Sequence, residues 1–190
     1  MRAHLALLLV AAVGGVVSVA APADAAVRYH LKLAGVEPVA GVPPEVAGRV
    51  GDVLATVVRD RKDFVASLDG APGDPDKLRK WLAARKIHAF EVTVKITSWE
   101  REVAPPAPGK SGQVLKVRMT LQLVGTSYPS DALALSGTGA STVMMEVGKT
   151  IFPKEESSAA DSAVKEATGR ALDEAVTRLR ASQSKAKKKK

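Results

Sequence analysis

The sequence predicts an α+β fold: a single layer of mixed, largely antiparallel sheet packed by amphipathic helices. Several segments alternate apolar and polar residues with the two-residue period of a half-buried strand. Other segments repeat apolar residues with the period of a helix, and prolines and glycines separate the two kinds of segment. The predicted order of elements is β-α-β-α-β-β-β-α, with the helices on one face of the sheet and polar side chains on the other.

The first strand and helix follow position 26. Residues 27–33 alternate strictly, which predicts a strand with one buried face. Pro44 occupies a position that the first turn of a helix tolerates. The apolar residues of 45–62 recur three and four positions apart and predict an amphipathic helix.

A second strand and helix are predicted next. Residues 63–68 form a short apolar run bounded by charged residues and by Asp69-Gly70, which is typical of a strand. Asp74 stands directly before Pro75, a combination that favours the start of a helix. We expect this helix to end near Lys86.

The following region predicts a three-stranded antiparallel meander. Residues 90–97 and 115–123 alternate, and the segment 104–112 between them is rich in proline and glycine, which predicts a hairpin with a long tip. The third strand is predicted over 132–147. Gly137 and Gly139 within it predict a bulge or a bend.

The last helix is predicted from a Ser-x-x-acid capping pattern at Ser158–Asp161. Its apolar stripe consists mostly of small residues, which would allow it to lie close on the sheet. We expect the helix to end near Ala181, so that residues 26–181 form one domain. Residues 182–190 contain few apolar groups and are predicted to be a disordered, lysine-rich tail.

Residues 1–25 have the composition of a secretory signal peptide. A basic start at Arg2 is followed by an apolar run over 5–17 and by Ala23-Asp24-Ala25, a small-x-small cleavage pattern. The apolar run is shorter than the roughly 20 residues that span a bilayer, so no transmembrane segment is expected after signal cleavage. The protein is therefore expected to be periplasmic or secreted.

The chain contains no cysteine. In an exported protein this excludes disulfides, thiolate metal sites, a catalytic cysteine and a lipid attached through an N-terminal cysteine. Most of the formal net charge of +8 comes from five lysines among the last six residues. Because the basic character belongs to the tail and not to the domain, no nucleic-acid partner is expected.

Sequence motifs predict neither catalysis nor a cofactor. Gly109-Lys110-Ser111 lacks the earlier glycine and the following helix of a phosphate-binding loop. Gly137-Thr138-Gly139 lacks the third glycine of a dinucleotide site. The chain is therefore not expected to be an enzyme.

The sequence also predicts no metal site. His30 and His88 are the only histidines after the signal, and they are too isolated to suggest a metal site or a general base. Asp69, Asp74 and Asp76 lack the spacing of a calcium loop, and Asp74 is accounted for as a helix cap.

Two features are candidate partner-binding sites. Trp99 breaks the alternation of 90–96 and falls among the polar positions, which predicts a partner anchor or, alternatively, a bulge at Ser98 that returns the side chain to the core. The other candidate is the tail, with Lys187, Lys188, Lys189 and Lys190. Such a run either contacts an anionic surface or only increases solubility.

The order of elements resembles a superfamily of bacterial envelope domains. The resemblance is carried by the helix 46–58, the strand 64–68, the helix 78–86 that leads into 89–97, the strand 117–124, the segment 136–139 and the helix 163–175. The superfamily includes the curli-secretion lipoproteins, the penicillin-binding-protein activator lipoproteins and the N-terminal domain of the Tol-system translocation protein. The resemblance implies a compact domain that binds other envelope proteins or assembles, without catalysis. This chain departs from the lipoproteins because it lacks an acylated cysteine.

Together, these observations predict an exported, non-catalytic protein-interaction or assembly domain of the bacterial cell envelope, whose partners are envelope proteins. One alternative is an envelope-surface binder that uses the basic tail on anionic lipid or polymer. The other is a hydrolase without a recognisable motif. Neither a cofactor nor a metal is expected.

Overall fold

The computed structural model describes residues 27–187, except 107, 110 and 131. The predicted signal peptide and the residues 188–190 lie outside the described residues. The strands are β1 (Arg28–Pro38), β2 (Ile87–Ala104), β3 (Gln113–Ser127) and β4 (Leu133–Val147), and the helices are α1 (Pro44–Arg59), α2 (Pro75–Ala84) and α3 (Pro153–Lys187). This architecture confirms the predicted α+β fold.

The four strands form one mixed sheet in the order β1-β2-β3-β4. β1 runs parallel to β2, and its last residue, Pro38, pairs with Ile96. β2, β3 and β4 form the predicted antiparallel meander. The expected hairpin tip is confirmed, since β2 ends at Ala104 and β3 begins at Gln113.

α1 and α3 cover one face of the sheet and build the main core with it. β3 shows the predicted alternation clearly, because every second residue is buried beneath the helices. From α1 the buried residues are Val46, Val50, Leu54 and Val58. Their spacing of four residues is that of one helical stripe.

α3 lies very close to β4, as its stripe of small residues predicts. The predicted bulge or bend at Gly137 and Gly139 is wrong, because β3–β4 pairing continues without a shift through both residues. The glycines are required by the helix instead. A Cβ at Gly139 would lie 2.6 Å from the backbone nitrogen of Ala171, and one at Gly137 would lie 2.7 Å from that of Ala175.

α2 lies on the other face of the sheet, which corrects the expectation that all helices share one face. Its buried residues Leu78 and Leu82 form a separate cluster with Ile87 and Ala89. Phe90, the next residue of β2, belongs to the main core. Because successive strand residues point to opposite faces, apolar residues at 87 and 89 provide a second, smaller packing surface at the start of β2.

The predicted strand over 63–68 is wrong, since the chain makes a single parallel bridge there, between Tyr29 and Phe64. The amide of Val65 donates to the carbonyl of Tyr29 at 2.7 Å. A longer ladder would next use the Val65 carbonyl as an acceptor for Leu31. Nδ1 of His30 instead hydrogen bonds that carbonyl at 3.0 Å, and the segment leaves the sheet.

α3 continues to Lys187, well past the end expected near Ala181. The prediction of disorder is therefore wrong for 182–187. Ala, Gln and Lys have good helix propensity, and cations near the C-terminus of a helix interact favourably with its dipole. Low hydrophobicity alone did not end the helix.

Candidate functional site

Trp99 faces the helix-covered side of the sheet. The pairing of β2 with β3 shifts register between Ile96 and Ser98. Beyond this bulge Trp99 pairs with Met119, which is buried in the main core, and the half-buried indole packs against that core. The sequence allowed either a partner anchor or a bulge at Ser98. The structure contains a bulge, but the unpaired residue is Thr97 and not Ser98. The exposed part of the half-buried side chain is available to a partner. Partner binding by Trp99 therefore remains a prediction.

Trp99 forms part of a groove between the first turns of α1 and α3. The groove has a volume of about 240 Å³. It is lined by Pro43, Glu45, Val46, Arg49, Trp99, Arg101, Pro153, Glu156, Ser157 and Ala160. We call this feature the Trp99 groove. Its lining combines an aromatic ring, aliphatic and proline carbons, and charged groups of both signs.

Two ion pairs hold the walls of the Trp99 groove together. Arg49 of α1 pairs with Asp161 of α3, and Arg101 of β2 pairs with Glu156 of α3. Both arginine side chains remain partly open to solvent. The pairs therefore connect the walls while leaving part of each arginine side chain accessible.

Exposed apolar side chains lie next to the groove. Phe152 directly precedes Pro153, a lining residue, and is 61 % exposed. Val103 is exposed and lies two residues beyond Arg101 on the same face of β2. Aromatic residues and arginine are the types enriched at protein interfaces. The groove and its rim therefore have the composition of a binding surface.

The edge of β2 beside the groove is unusual for this sheet. β1 ends opposite Ile96, whereas β2 continues to Ala104. Within the described residues, no strand lies beside Ser98–Ala104 on the side away from β3. On the open face of this extension, Arg118 lies 2.7 Å from Glu100 and 3.9 Å from Glu102. Two carboxylates therefore share one guanidinium there.

The outer edge of β4 is occupied by side chains from α3. Glu174 accepts a hydrogen bond from the backbone amide of Thr138, and Arg170 donates to the Ala140 carbonyl at 3.0 Å. The bond from Thr138, together with the charge of Arg178, holds the pKa of Glu174 below its usual value. α3 thus satisfies backbone groups that would otherwise be available to another strand.

The lysine tail is only partly described. Lys187 is the last residue of α3, and Lys188, Lys189 and Lys190 lie outside the described residues. Surface binding by these four residues remains a prediction. At the β2–β3 hairpin tip, Gly109 and Ser111 lead into a strand and not into a helix, as expected for a sequence that is not a phosphate-binding loop.

The two histidines lie on opposite faces of the sheet. His88 is in register with Tyr29 of the main core, with ring centroids 6.2 Å apart, and partial burial lowers its pKa. His30 is in register with Ala89 of the α2 cluster and is bonded to Val65. The fold does not bring them together as an acid–base pair.

The acidic residues before β2 have structural roles. The amide of Lys77 donates to Oδ1 of Asp74 at 2.9 Å, which confirms the predicted helix cap. Asp76 pairs with Arg79 at 3.2 Å. Across the described part of the chain, no group of three or more His, Asp or Glu side chains is arranged to hold a metal ion.

No family model and no curated protein match this chain. Solved structures of bacterial proteins are similar to it at low identity. The PelC dodecamer from Paraburkholderia phytofirmans is 14 % identical, over 75 % of this chain and 86 % of that chain, with a TM-score of 0.41. Protein XCC0632 from Xanthomonas campestris is 9 % identical, over 82 % and 87 % of the two chains, with a TM-score of 0.48. A minor lipoprotein from Acinetobacter baumannii is 8 % identical, over 80 % and 94 %, with a TM-score of 0.39. These likenesses assign no role to any residue.

The described part of the chain contains the helices α1, α2 and α3. None of the helices found there combines the length and the apolar character that crossing a bilayer requires.

Proposed function

We propose that this chain is an exported, non-catalytic domain of the bacterial cell envelope that binds a protein partner at the Trp99 groove. The observation that supports the proposal most directly is the half-buried indole of Trp99 at a groove rimmed by exposed apolar side chains. Tryptophan and arginine are enriched among the residues that contribute most to protein–protein affinity. A partner side chain inserted here would bury the remaining surface of Trp99.

The charged residues of the groove support binding better than catalysis. Arg49 and Arg101 are each engaged by a carboxylate of α3. Such pairs position the groove walls before a partner arrives, which reduces the ordering cost of association. A hydrolase would instead need a nucleophile and a base within hydrogen-bond reach of each other.

The cellular setting in this proposal comes from the sequence. The pattern of residues 1–25 supports export, and the absence of cysteine leaves no thiol for lipid attachment. The expected partner is therefore a protein that faces the periplasm or the cell exterior.

Site-specific photo-crosslinking tests the proposal. A photoreactive amino acid replaces Phe152 on the groove rim or, as a matched control, Met144 on the open face of β4. Both native side chains are large and apolar, with exposures of 61 % and 65 %. In envelope extract of the native host, the probe at position 152 should give one discrete crosslinked protein that the probe at 144 does not give.

Equal crosslinking from both positions, or none from position 152, would reject the groove as the binding site. A chain that lacks residues 182–190 provides a second control. Undiminished crosslinking at 152 in that chain is expected if the groove binds the partner. Loss of the crosslink would assign binding to the lysine tail instead.

A further inference from the structure

We infer that the partner binds as an extended strand added to β2 along Ser98–Ala104, in the position that β1 would occupy if it continued. This inference rests on the proposed function and specifies its binding mode. The occupant we infer is an extended segment of another protein in which basic and apolar residues alternate. Strand addition of this kind derives affinity from backbone hydrogen bonds and specificity from alternate side chains.

The space for such a strand exists because β1 leaves the sheet early. The amide of Val39, just after β1, donates to the Ile96 carbonyl at 3.1 Å. The chain then turns into α1 at Pro44. β2 continues beyond this point, and most of its extension is exposed. An added strand could therefore pair with the β2 extension where β1 no longer does.

The bulge determines which backbone groups point to the free edge. Before it, the Ala89 carbonyl accepts from Tyr128 on the β3 side, whereas the Ile96 carbonyl faces β1. Odd-numbered residues thus face β3, and the unpaired Thr97 reverses this alternation. Beyond the bulge, the residues that direct their N–H and C=O groups outward are Trp99, Arg101 and Val103. Their side chains lie on the same face as the Trp99 groove.

The other outer edges of this sheet carry features that discourage strand addition. β1 has Lys32, a register shift between Leu33 and Gly35, and Pro38. Lysine, bulges and proline are the means by which natural proteins protect an edge strand. On β4, Glu174 and Arg170 bind the backbone at Thr138 and Ala140. The stretch Ser98–Ala104 follows the bulge at Thr97 but contains no bulge, lysine or proline of its own, and the described residues provide no side-chain cap for it.

Charge indicates what the added strand contains. Its side chains on the open face would lie directly beside Glu100 and Glu102, whereas Arg118 and Lys116 are one strand further away on β3, so basic residues are favoured there. On the other face they would meet Trp99 and Val103, where apolar residues fit. A second copy of this chain paired antiparallel through the same stretch would place acidic residues opposite each other. The charge pattern therefore favours a different protein as the partner.

Amide hydrogen exchange tests this inference with a defined probe. The probe is an acetylated seven-residue peptide that alternates lysine and valine, and its control alternates glutamate and valine. Saturation with the lysine peptide should slow exchange of the Trp99, Arg101 and Val103 amides by about tenfold or more. The amide of Val143, which points to β3 within the β3–β4 ladder, serves as an internal reference and should not change. No effect is expected from the glutamate peptide.

Variants at the edge distinguish strand addition from adhesion by charge. Val103→Pro removes one outward donor and leaves the pairing with β3 intact, whereas Val103→Thr keeps the donor. The proline variant should bind the lysine peptide about tenfold or more weakly, and the threonine variant should bind like the parent. Combined Glu100→Lys and Glu102→Lys substitutions, which do not depend on a proline, should transfer the preference to the glutamate peptide.

Strand addition is wrong if neither peptide protects these amides, or if the charge-reversed variant keeps the original preference. Crosslinking at position 152 that persists in the Val103→Pro variant would also reject it, while the groove would remain a binding site. Loss of the crosslink from both the parent and the variant would instead contradict the proposed function itself.

Discussion

The outer edges of β4 and of the β2 extension differ in whether side chains of α3 bind their backbone groups. Along β4, Glu174 and Arg170 reach from α3 to the backbone of Thr138 and Ala140. Along Ser98–Ala104, no described side chain makes an equivalent bond, and no described strand pairs with the edge that faces away from β3. The comparison shows that a helix lying close to a sheet edge can occupy backbone groups that would otherwise be available to a partner strand.

Residue size on the covered face determines how near the helices come. Gly137 and Gly139 let α3 approach β4 so closely that a Cβ at either position would overlap its backbone. At the other end of the sheet, the indole of Trp99 stands below the first turns of α1 and α3, and a groove remains. Small residues therefore allow α3 to pack directly on β4, whereas a groove remains where the large side chain of Trp99 lies beneath α1 and α3.

The largest effect is expected from replacing a glycine under α3. Gly139→Val should destabilise the fold by at least about 3 kcal/mol, because the helix must move away from the sheet. Equilibrium urea unfolding measures this change. Gly169→Ala on α3 is the matched control, since nothing lies within 4 Å of its Cβ position. It should stabilise the helix by about 0.5–1 kcal/mol. A Gly139→Val variant as stable as the parent would show that close approach is not required.

Replacing Trp99 at the groove should reduce stability less than Gly139→Val does, but it should strongly weaken partner binding. Trp99→Ala should cost about 2 kcal/mol, below the range for a fully buried tryptophan, because the side chain is half buried. Crosslinking yield at position 152 should fall about tenfold or more. Trp81→Ala is the control, since Trp81 is also half buried but belongs to α2 and packs against the cluster on the other face. If it lowers the crosslinking yield equally, lost stability and not the groove explains the loss.

The smallest effect is expected at the protected edge. Glu174→Gln should lower the exchange protection of the Thr138 amide severalfold while global stability changes little, because the hydrogen bond from Thr138 and the ion pair with Arg178 are both exposed. The pKa of Glu174 is lowered in the folded chain. Its contribution is therefore present above its ordinary pKa and is lost as the pH falls through the lowered value. Thr138 protection should decrease at acidic pH in the parent and less in the variant. Identical pH profiles would exclude this role.

Local sequence patterns correctly predicted those elements whose structure does not depend on residues distant in the chain. The alternation of β3 and the valine spacing of α1 each identify one buried face, and the structure confirms both. The proline- and glycine-rich segment 104–112 predicted the hairpin tip for a local reason too, since it can neither pair in a sheet nor continue a helix.

The errors arose where a distant residue decides the outcome. The apolar segment 63–68 has the pattern of a strand, but the side chain of His30 hydrogen bonds the Val65 carbonyl that a longer ladder would use. Gly137 and Gly139 were interpreted as a local distortion because the helix that requires them lies later in the chain. Trp99 remained ambiguous because one unpaired residue, Thr97, reverses the face of every following side chain. The free edge could not be predicted at all, since it depends on where β1 and β2 end relative to each other.

The parallel pairing of β1 with β2 determines the order in which the sheet is completed. Arg28 pairs with Ile87, so the connection between these strands includes both α1 and α2. Closing so long a connection costs chain entropy before any pair forms, whereas β2, β3 and β4 are joined by short loops. We therefore expect the meander and α3 to assemble first and β1 to dock last. Until it does, the outer edge of β2 is exposed along its whole length, and a chain that stalls at this stage is at its most prone to aggregate.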